Sequence, residues 1–260
     1  MKTNVLGVEI NADTKNTIIF LIKKLLGKNR KIFIATPYSE MLVAAQKDSE
    51  FKNVLNAADF AIPDGIGVLW AAHYLKTRKL ISSLFSIIFR PKSIRDPIPE
   101  KISGSNFVWD LAGLAADRGY SIFLLGGFGN TGQLAAAKLK SKFPHLRIAG
   151  TFNGGPDDRQ EIMRHLTEAR PDFLFVAFGP IRQEKWIYNN LPDLPVKLAI
   201  GLGGTFDYLA GNRPPAPRFW AQTGLEWLWR LITQPWRVLR ILKGVLGLIW
   251  YSFKARLRGQ

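Results

Sequence analysis

The chain predicts an α/β fold: a mostly parallel, Rossmann-like sheet flanked by helices, with a helical C-terminal membrane-contact appendage. Three observations carry this. Short apolar runs alternate with amphipathic stretches from residue 15 to residue 200. At 260 residues and 47% hydrophobic composition, the chain holds enough apolar material for one substantial core. Beyond residue 211 the character changes to tryptophan and arginine with almost no acid. The expected division is an α/β domain over residues 1–211 and a basic, Trp-rich helical appendage over 212–260.

The elements follow in order. Apolar runs at 31–35, 60–62, 121–125, 147–151, 173–177 and 197–200 read as strands. Between them, amphipathic patterns at 15–26, 40–46, 65–75, 107–118, 132–143, 159–169 and 183–190 read as helices. Strand-helix alternation at this spacing makes successive strands parallel and covers both faces. Ligands of such sheets bind beyond the carboxyl ends of the strands, so the residues just after each strand are the candidates.

Residues 76–99 break the pattern. Leu80, Ile81, Leu84, Phe85, Ile87, Ile88 and Phe89 form an apolar stripe between Lys76, Arg78, Lys79 and Arg90, Lys92, Arg95. A buried helix and a second membrane-contact segment both fit it. The other break is Pro214, Pro215 and Pro217, which should separate the tail from the sheet.

Net charge is +16, and half of that excess lies after residue 211, where nine Lys and Arg face Glu226 alone. An anionic partner follows, either lipid headgroups or nucleic acid. There is no cysteine, hence neither disulfide nor thiolate metal site. The N-terminus carries no signal-peptide apolar core, and the longest apolar run of the tail, 245–253, is too short to span a bilayer. The expectation is a cytoplasmic protein lying at most on a membrane.

Several strand ends carry candidate chemistry. Asp64, in Ile62-Pro63-Asp64-Gly65, fits a helix N-cap, the commonest role for Asp at such a position, and also a general base at the mouth of the sheet. Thr36-Pro37 would share its rim. Gly127-Phe128-Gly129-Asn130-Thr131-Gly132 matches G-x-G-x-x-G between a strand and a helix, a place for a nucleotide diphosphate or simply a tight turn. No acid ends the following strand, which argues against NAD and an oxidoreductase. Gln183 and Glu184 follow another strand and can hydrogen-bond sugar or base hydroxyls, or cap a helix. Gly203, Gly204, Thr205 and Asp207 follow the last, where glycine lets backbone approach a ligand. The three histidines are scattered without ligand spacing, so no metal is expected. In the tail, Arg230, Arg237 and Arg240 are spaced to share one helix face, with Trp220, Trp227, Trp229 and Trp236 interleaved. Glycine loops at strand ends favour an enzyme on a lipid-linked substrate over a nucleic-acid binder, because nucleic-acid binding does not require them.

In their order, these blocks resemble the WecG/TagA/CpsF glycosyltransferase family. The resemblance runs from Leu6-Gly7-Val8-Glu9-Ile10 to about Arg240. It rests most on Pro63-Asp64-Gly65-Ile66-Gly67-Val68, Phe178-Gly179-Pro180 with Gln183-Glu184-Lys185-Trp186, Gly203-Gly204-Thr205-Phe206-Asp207 and Gly224-Leu225-Glu226-Trp227-Leu228-Trp229-Arg230-Leu231. It implies inverting, metal-independent transfer of a hexosyl unit, often N-acetylmannosamine, from a UDP-sugar to a sugar on undecaprenyl diphosphate at the inner membrane face. No cofactor is implied, and a homo-oligomer is left open. By this resemblance Asp64 is the general base with Thr36 beside it. Gln183 and the 203–207 loop belong to the nucleotide-sugar pocket, and the tail arginines close over the site. The chain departs from the family pattern at Tyr38 (usually Asn), Asn106 (usually Asp) and Pro215 (usually Arg), and residues 76–96 resemble an insertion.

Overall fold

The computed structural model describes residues 1–28, 30–213, 220, 229, 232 and 238–258. The chain opens with an antiparallel hairpin, β1 (Lys2–Val5) and β2 (Val8–Asn11), absent from the sequence expectation. Its two-residue turn, Leu6-Gly7, has positive φ at both positions, as a tight hairpin turn requires.

Six strands build the main sheet: β3 (Ile32–Ala35), β4 (Phe60–Ala61), β5 (Ser121–Gly126), β6 (Arg147–Phe152), β7 (Phe173–Ala177) and β8 (Leu198–Gly201). Their order is β4-β3-β8-β7-β5-β6, and every pairing is parallel. Period-2 side-chain alternation splits the core into two layers. Phe33, Leu125, Leu174 and Val176 face one layer, whereas Ile34, Leu124, Phe175 and Ile200 face the other.

Helices fill both layers. On the first lie α2 (Ser39–Ala45), α3 (Ser49–Asn56), α4 (Ile66–Thr77), α5 (Leu80–Phe89), α8 (Arg159–Ala169) and α9 (Arg182–Asn190). On the second lie α1 (Lys15–Leu26), α6 (Gly104–Arg118), α7 (Thr131–Lys142) and the short α10 (Thr205–Leu209). Helix α1 shows the local logic. Thr14 caps it by accepting from the Thr17 N–H, and Ile18, Ile22 and Leu26 recur on one buried stripe.

One consequence of this layering positions the site. The chain leaving β3 enters α2 on the first layer, while the chain leaving the adjacent β8 enters α10 on the second. Neighbouring strands whose continuations part to opposite faces open a crevice at their carboxyl ends.

The last described helix, α11 (Val238–Leu257), lies against α2 and α4. Gly244 makes this approach close: a Cβ there would stand 3.5 Å from the Glu40 backbone nitrogen. Leu248 and Ala255 join the first core layer. The prolines expected to separate the tail, at 214, 215 and 217, lie outside the described residues. Among the described residues no helix is long and apolar enough to cross a membrane.

Residues 76–99 divide their apolar stripe between two faces. Helix α5 turns Leu84 and Ile87 toward the core and leaves Ile81, Phe85 and Phe89 exposed. Ser83 is buried and accepts from the Trp70 indole N–H of α4 at 3.0 Å, which fixes the helix.

Candidate active site

A cavity of about 460 Å³ fills the crevice at the carboxyl ends of β3, β4 and β8. Its lining is mixed: Thr36, Asp64, Lys101, Gln183 and Arg240 bring polar groups, and Leu84, Ile87, Val245, Leu248 and Ile249 bring apolar ones.

Asp64 reaches this place through the loop after β4. Its N–H donates to Pro37 O at 3.0 Å, and Ile102 N–H donates to Pro63 O at 3.0 Å, binding three loops together. The carboxylate does not cap α4, whose N-cap is Gly65 without a side-chain bond. Instead Asp64 Oδ2 accepts from the Gly104 N–H, the first residue of α6, at 3.2 Å. A helix N-terminus is a favourable seat for a negative group. A Cβ built on Gly104 would lie 3.5 Å from Asp64 Oδ2 and 3.6 Å from Thr36 Oγ1, so Thr36 and Asp64 meet over the same glycine. Thr36 Oγ1 also donates to Gly201 O at 3.4 Å, tying the end of β3 to that of β8.

Gln183 forms the next wall. Its Oε1 accepts from the Gly203 N–H at 3.0 Å, and its amide donates to Glu184 Oε1 at 2.7 Å. The other Glu184 oxygen accepts from the Ile181 N–H at 2.8 Å. A relay runs from Ile181 through both side chains to Gly203. Glu184 itself departs from expectation: it is fully buried and outside the cavity lining, so it positions Gln183 and is not placed to meet a sugar or base. Burial pushes its carboxyl up to about 7, against hydrogen bonds from Gln183 and Ile181 that act in the opposite direction. Ile181 sits at φ 71, an uncommon backbone state for a β-branched residue, and it holds the turn that aims Gln183 inward. Gly201 must lack a side chain, because a Cβ there would stand 2.5 Å from Glu184 Oε1 and 2.7 Å from Gln183 Nε2.

Helix α11 supplies the cover. Arg240 Nε donates to both Glu40 oxygens at 2.7 and 2.6 Å, and its Nη2 donates to the Tyr38 hydroxyl at 2.9 Å. Burial, then the neighbouring Glu40 carboxylate, hold the Tyr38 phenol above the ordinary tyrosine range. The Tyr38 side chain is long enough to reach Arg240 across the gap between α2 and α11.

The remaining candidates divide. Gly203, Gly204 and Thr205 line the cavity. Asp207 is outside the lining and pairs with Arg213 at 3.2 Å. Gly127 and Gly129 lie beyond β5, separated from the crevice by β7, and are also outside the lining. Arg230 and Arg237 fall outside the described residues. Lys101 was missed from the sequence. No periodicity marks it, and its position follows from the long-range bonds of Ile102 to Pro63 and of Gly104 to Asp64. Tyr38 and Glu40 were likewise invisible as partners of a residue two hundred positions away.

Fold and cleft together define a Rossmann-like α/β protein with a cavity at a topological switch point and a carboxylate on its rim. Comparison with known proteins narrows this. The model of the family described as "Glycosyl transferase WecG/TagA/CpsF family" matches residues 3–92 and 85–260, and the chain belongs to this family of glycosyltransferases. It is 32% identical over 233 residues to the N-acetylglucosaminyldiphosphoundecaprenol N-acetyl-beta-D-mannosaminyltransferase of Bacillus subtilis (strain 168), covering 90% of this chain and 84% of that protein. A protein of the same name from Bacillus spizizenii is 30% identical over 90% of this chain and 83% of its own length. One from Staphylococcus aureus (strain MRSA252) is 23% identical over 98% of this chain and 93% of its own length.

Proposed function

We propose that this protein transfers an N-acetylmannosaminyl or related hexosyl unit from a UDP-sugar to a sugar carried on a polyprenyl diphosphate, at an anionic membrane surface on the cytoplasmic side. Such a step builds cell-surface polysaccharide. The observation that carries the reading is the mixed lining of one cavity, in which Asp64, Thr36, Lys101 and Arg240 occur together with Leu84, Ile87, Val245, Leu248 and Ile249. A lipid-linked diphosphate acceptor presents the same two characters. The acceptor class is the one in the printed names of the relatives.

In this mechanism Asp64 takes the proton from an acceptor hydroxyl as that oxygen attacks the anomeric carbon of the donor. The carbon–oxygen bond to UDP breaks on the opposite face, so the configuration inverts and UDP departs with the electron pair. Gly104 orients the base, and Thr36 lies beside it. Gln183, held by Glu184, fixes the 203–205 loop against the donor. Lys101 and Arg240, joined in this proposal by Arg230 and Arg237, neutralise the diphosphate without a metal ion. Residues 1–211 supply the base and the donor pocket, and residues 212–260 supply the arginines, hold the enzyme to the lipid surface and cover the cleft.

The test is UDP release from UDP-N-acetylmannosamine with a short-chain polyprenyl-diphosphate N-acetylglucosamine acceptor. Asp64→Asn should lower turnover by roughly 10²- to 10⁴-fold, the range for a lost general base. Equal turnover in both proteins would remove Asp64 from the chemistry.

A further inference from the structure

Helix α5 presents two apolar faces at once, and among the described residues only one of them is packed against the core. Ile81, Phe85 and Phe89 recur at every fourth residue on its outer side and are 73%, 61% and 71% exposed. Single exposed apolar residues are ordinary, whereas three on consecutive turns form a patch that needs a partner. The Phe85 and Phe89 rings stack at 6.0 Å and make the patch continuous. On the inner side Leu84 and Ile87 line the active cavity. One helix thickness therefore separates the outer patch from the proposed reaction site.

The surrounding charge identifies the partner. Lys76, Arg78 and Lys79 precede the helix, and Arg90, Lys92 and Arg95 follow it, all exposed. The acid exposed in this segment is Asp96, which pairs with Lys76. Cations at both ends of a short apolar stripe suit a helix lying in the plane of an anionic bilayer, with rings in the acyl boundary and basic groups at headgroup depth. At ten residues α5 is too short to cross. Helix α11 repeats the device: Leu239, Leu242, Leu246 and Trp250 follow helical spacing and are exposed. Both helices pack on α4, and both contribute apolar residues to the same cavity.

We infer that α5 is a lipid-docking port: its outer stripe enters an anionic bilayer, and its inner face leads the polyprenyl chain from that bilayer into the cavity. The route for the chain rests on the proposed reaction; the docking itself does not.

The test uses the full chain. With phosphatidylglycerol-containing vesicles, the triple variant Ile81→Gln, Phe85→Gln, Phe89→Gln should sediment with an affinity lowered about tenfold or more. UDP release with a short-chain, water-soluble acceptor should stay unchanged, while KM for a vesicle-embedded long-chain acceptor rises. Because the chain has no cysteine, Phe85→Cys offers one labelling position. An environment-sensitive dye there should shift to the blue on phosphatidylglycerol vesicles, and this readout stands even if the triple variant does not fold. Wild-type sedimentation of a folded triple variant, or a dye unmoved by vesicles, would overturn the inference. So would conversion of a dimer to a monomer with vesicle affinity intact, which would give the stripe to a second copy of the chain. Loss of UDP release from the soluble acceptor in the wild type would instead overturn the proposed reaction and leave docking standing.

Discussion

Replacing Glu184 by Gln probes the relay behind the cleft, because its two ends have the same polarity. Ile181 N–H donates into one end and Gly203 N–H into the other. Gln183 accepts once and donates once, so the remaining member must accept twice, which a carboxylate does and an amide does not. In Glu184→Gln one buried N–H loses its acceptor, at a cost of about 1–3 kcal/mol. Burial raises the Glu184 carboxyl from the usual 4.5 to about 7. A carboxyl raised in the folded state favours folding most below its unfolded value, and that advantage declines as pH climbs to the folded one. The wild type should therefore lose roughly 2 kcal/mol between about pH 5 and pH 8 relative to a protein with no titrating group there. Urea denaturation of both proteins across that range should show the stability difference moving in favour of Glu184→Gln by this amount. Donor binding should run the other way. In the wild type KM for the UDP-sugar should rise as pH falls through about 7, because protonation breaks the relay to Gly203, and in the variant it should be high throughout. Parallel stability curves would show that Glu184 is not desolvated as the packing requires, and the argument would fail.

Two further outcomes follow from the same geometry. Gly201→Ala places a methyl 2.5 Å from Glu184 Oε1 and should destabilise the fold by about 1–3 kcal/mol, read as a lower urea midpoint with unchanged slope. Arg240→Ala should lower turnover by roughly 10²-fold as diphosphate stabilisation is lost, and Arg240→Lys should restore little, because an ammonium does not reproduce the fork that meets Glu40 and Tyr38 together. Steady-state UDP release separates the two variants; full recovery by Lys would show that charge alone matters.

Much of the architecture was legible because every strand of the main sheet except the edge strand β6 is buried along nearly its whole length. Runs such as Phe173–Ala177 are apolar throughout, and the expected limits agree with the observed ones to within a residue or two. The hairpin β1–β2 and helices α3 and α10 escaped notice because each is short, with too few residues to establish a period. Asp64 illustrates the limit at the site. Its neighbours in sequence suit a helix cap, and the structure takes the side chain away from α4 to the start of α6, forty residues on.

The chain order alone determined the α/β class, the placement of loops at strand ends and the basic, aromatic character of the tail, since periodicity and composition are local properties. Tertiary structure decided which loops share one cleft. It set Gly127 and Gly129 aside across β7, sank Glu184 behind Gln183, brought Lys101 beside the rim and joined Arg240 to Tyr38 and Glu40. The reason is physical: strand order and the face each helix takes arise from long-range packing, and no window along the chain contains both partners of such a contact.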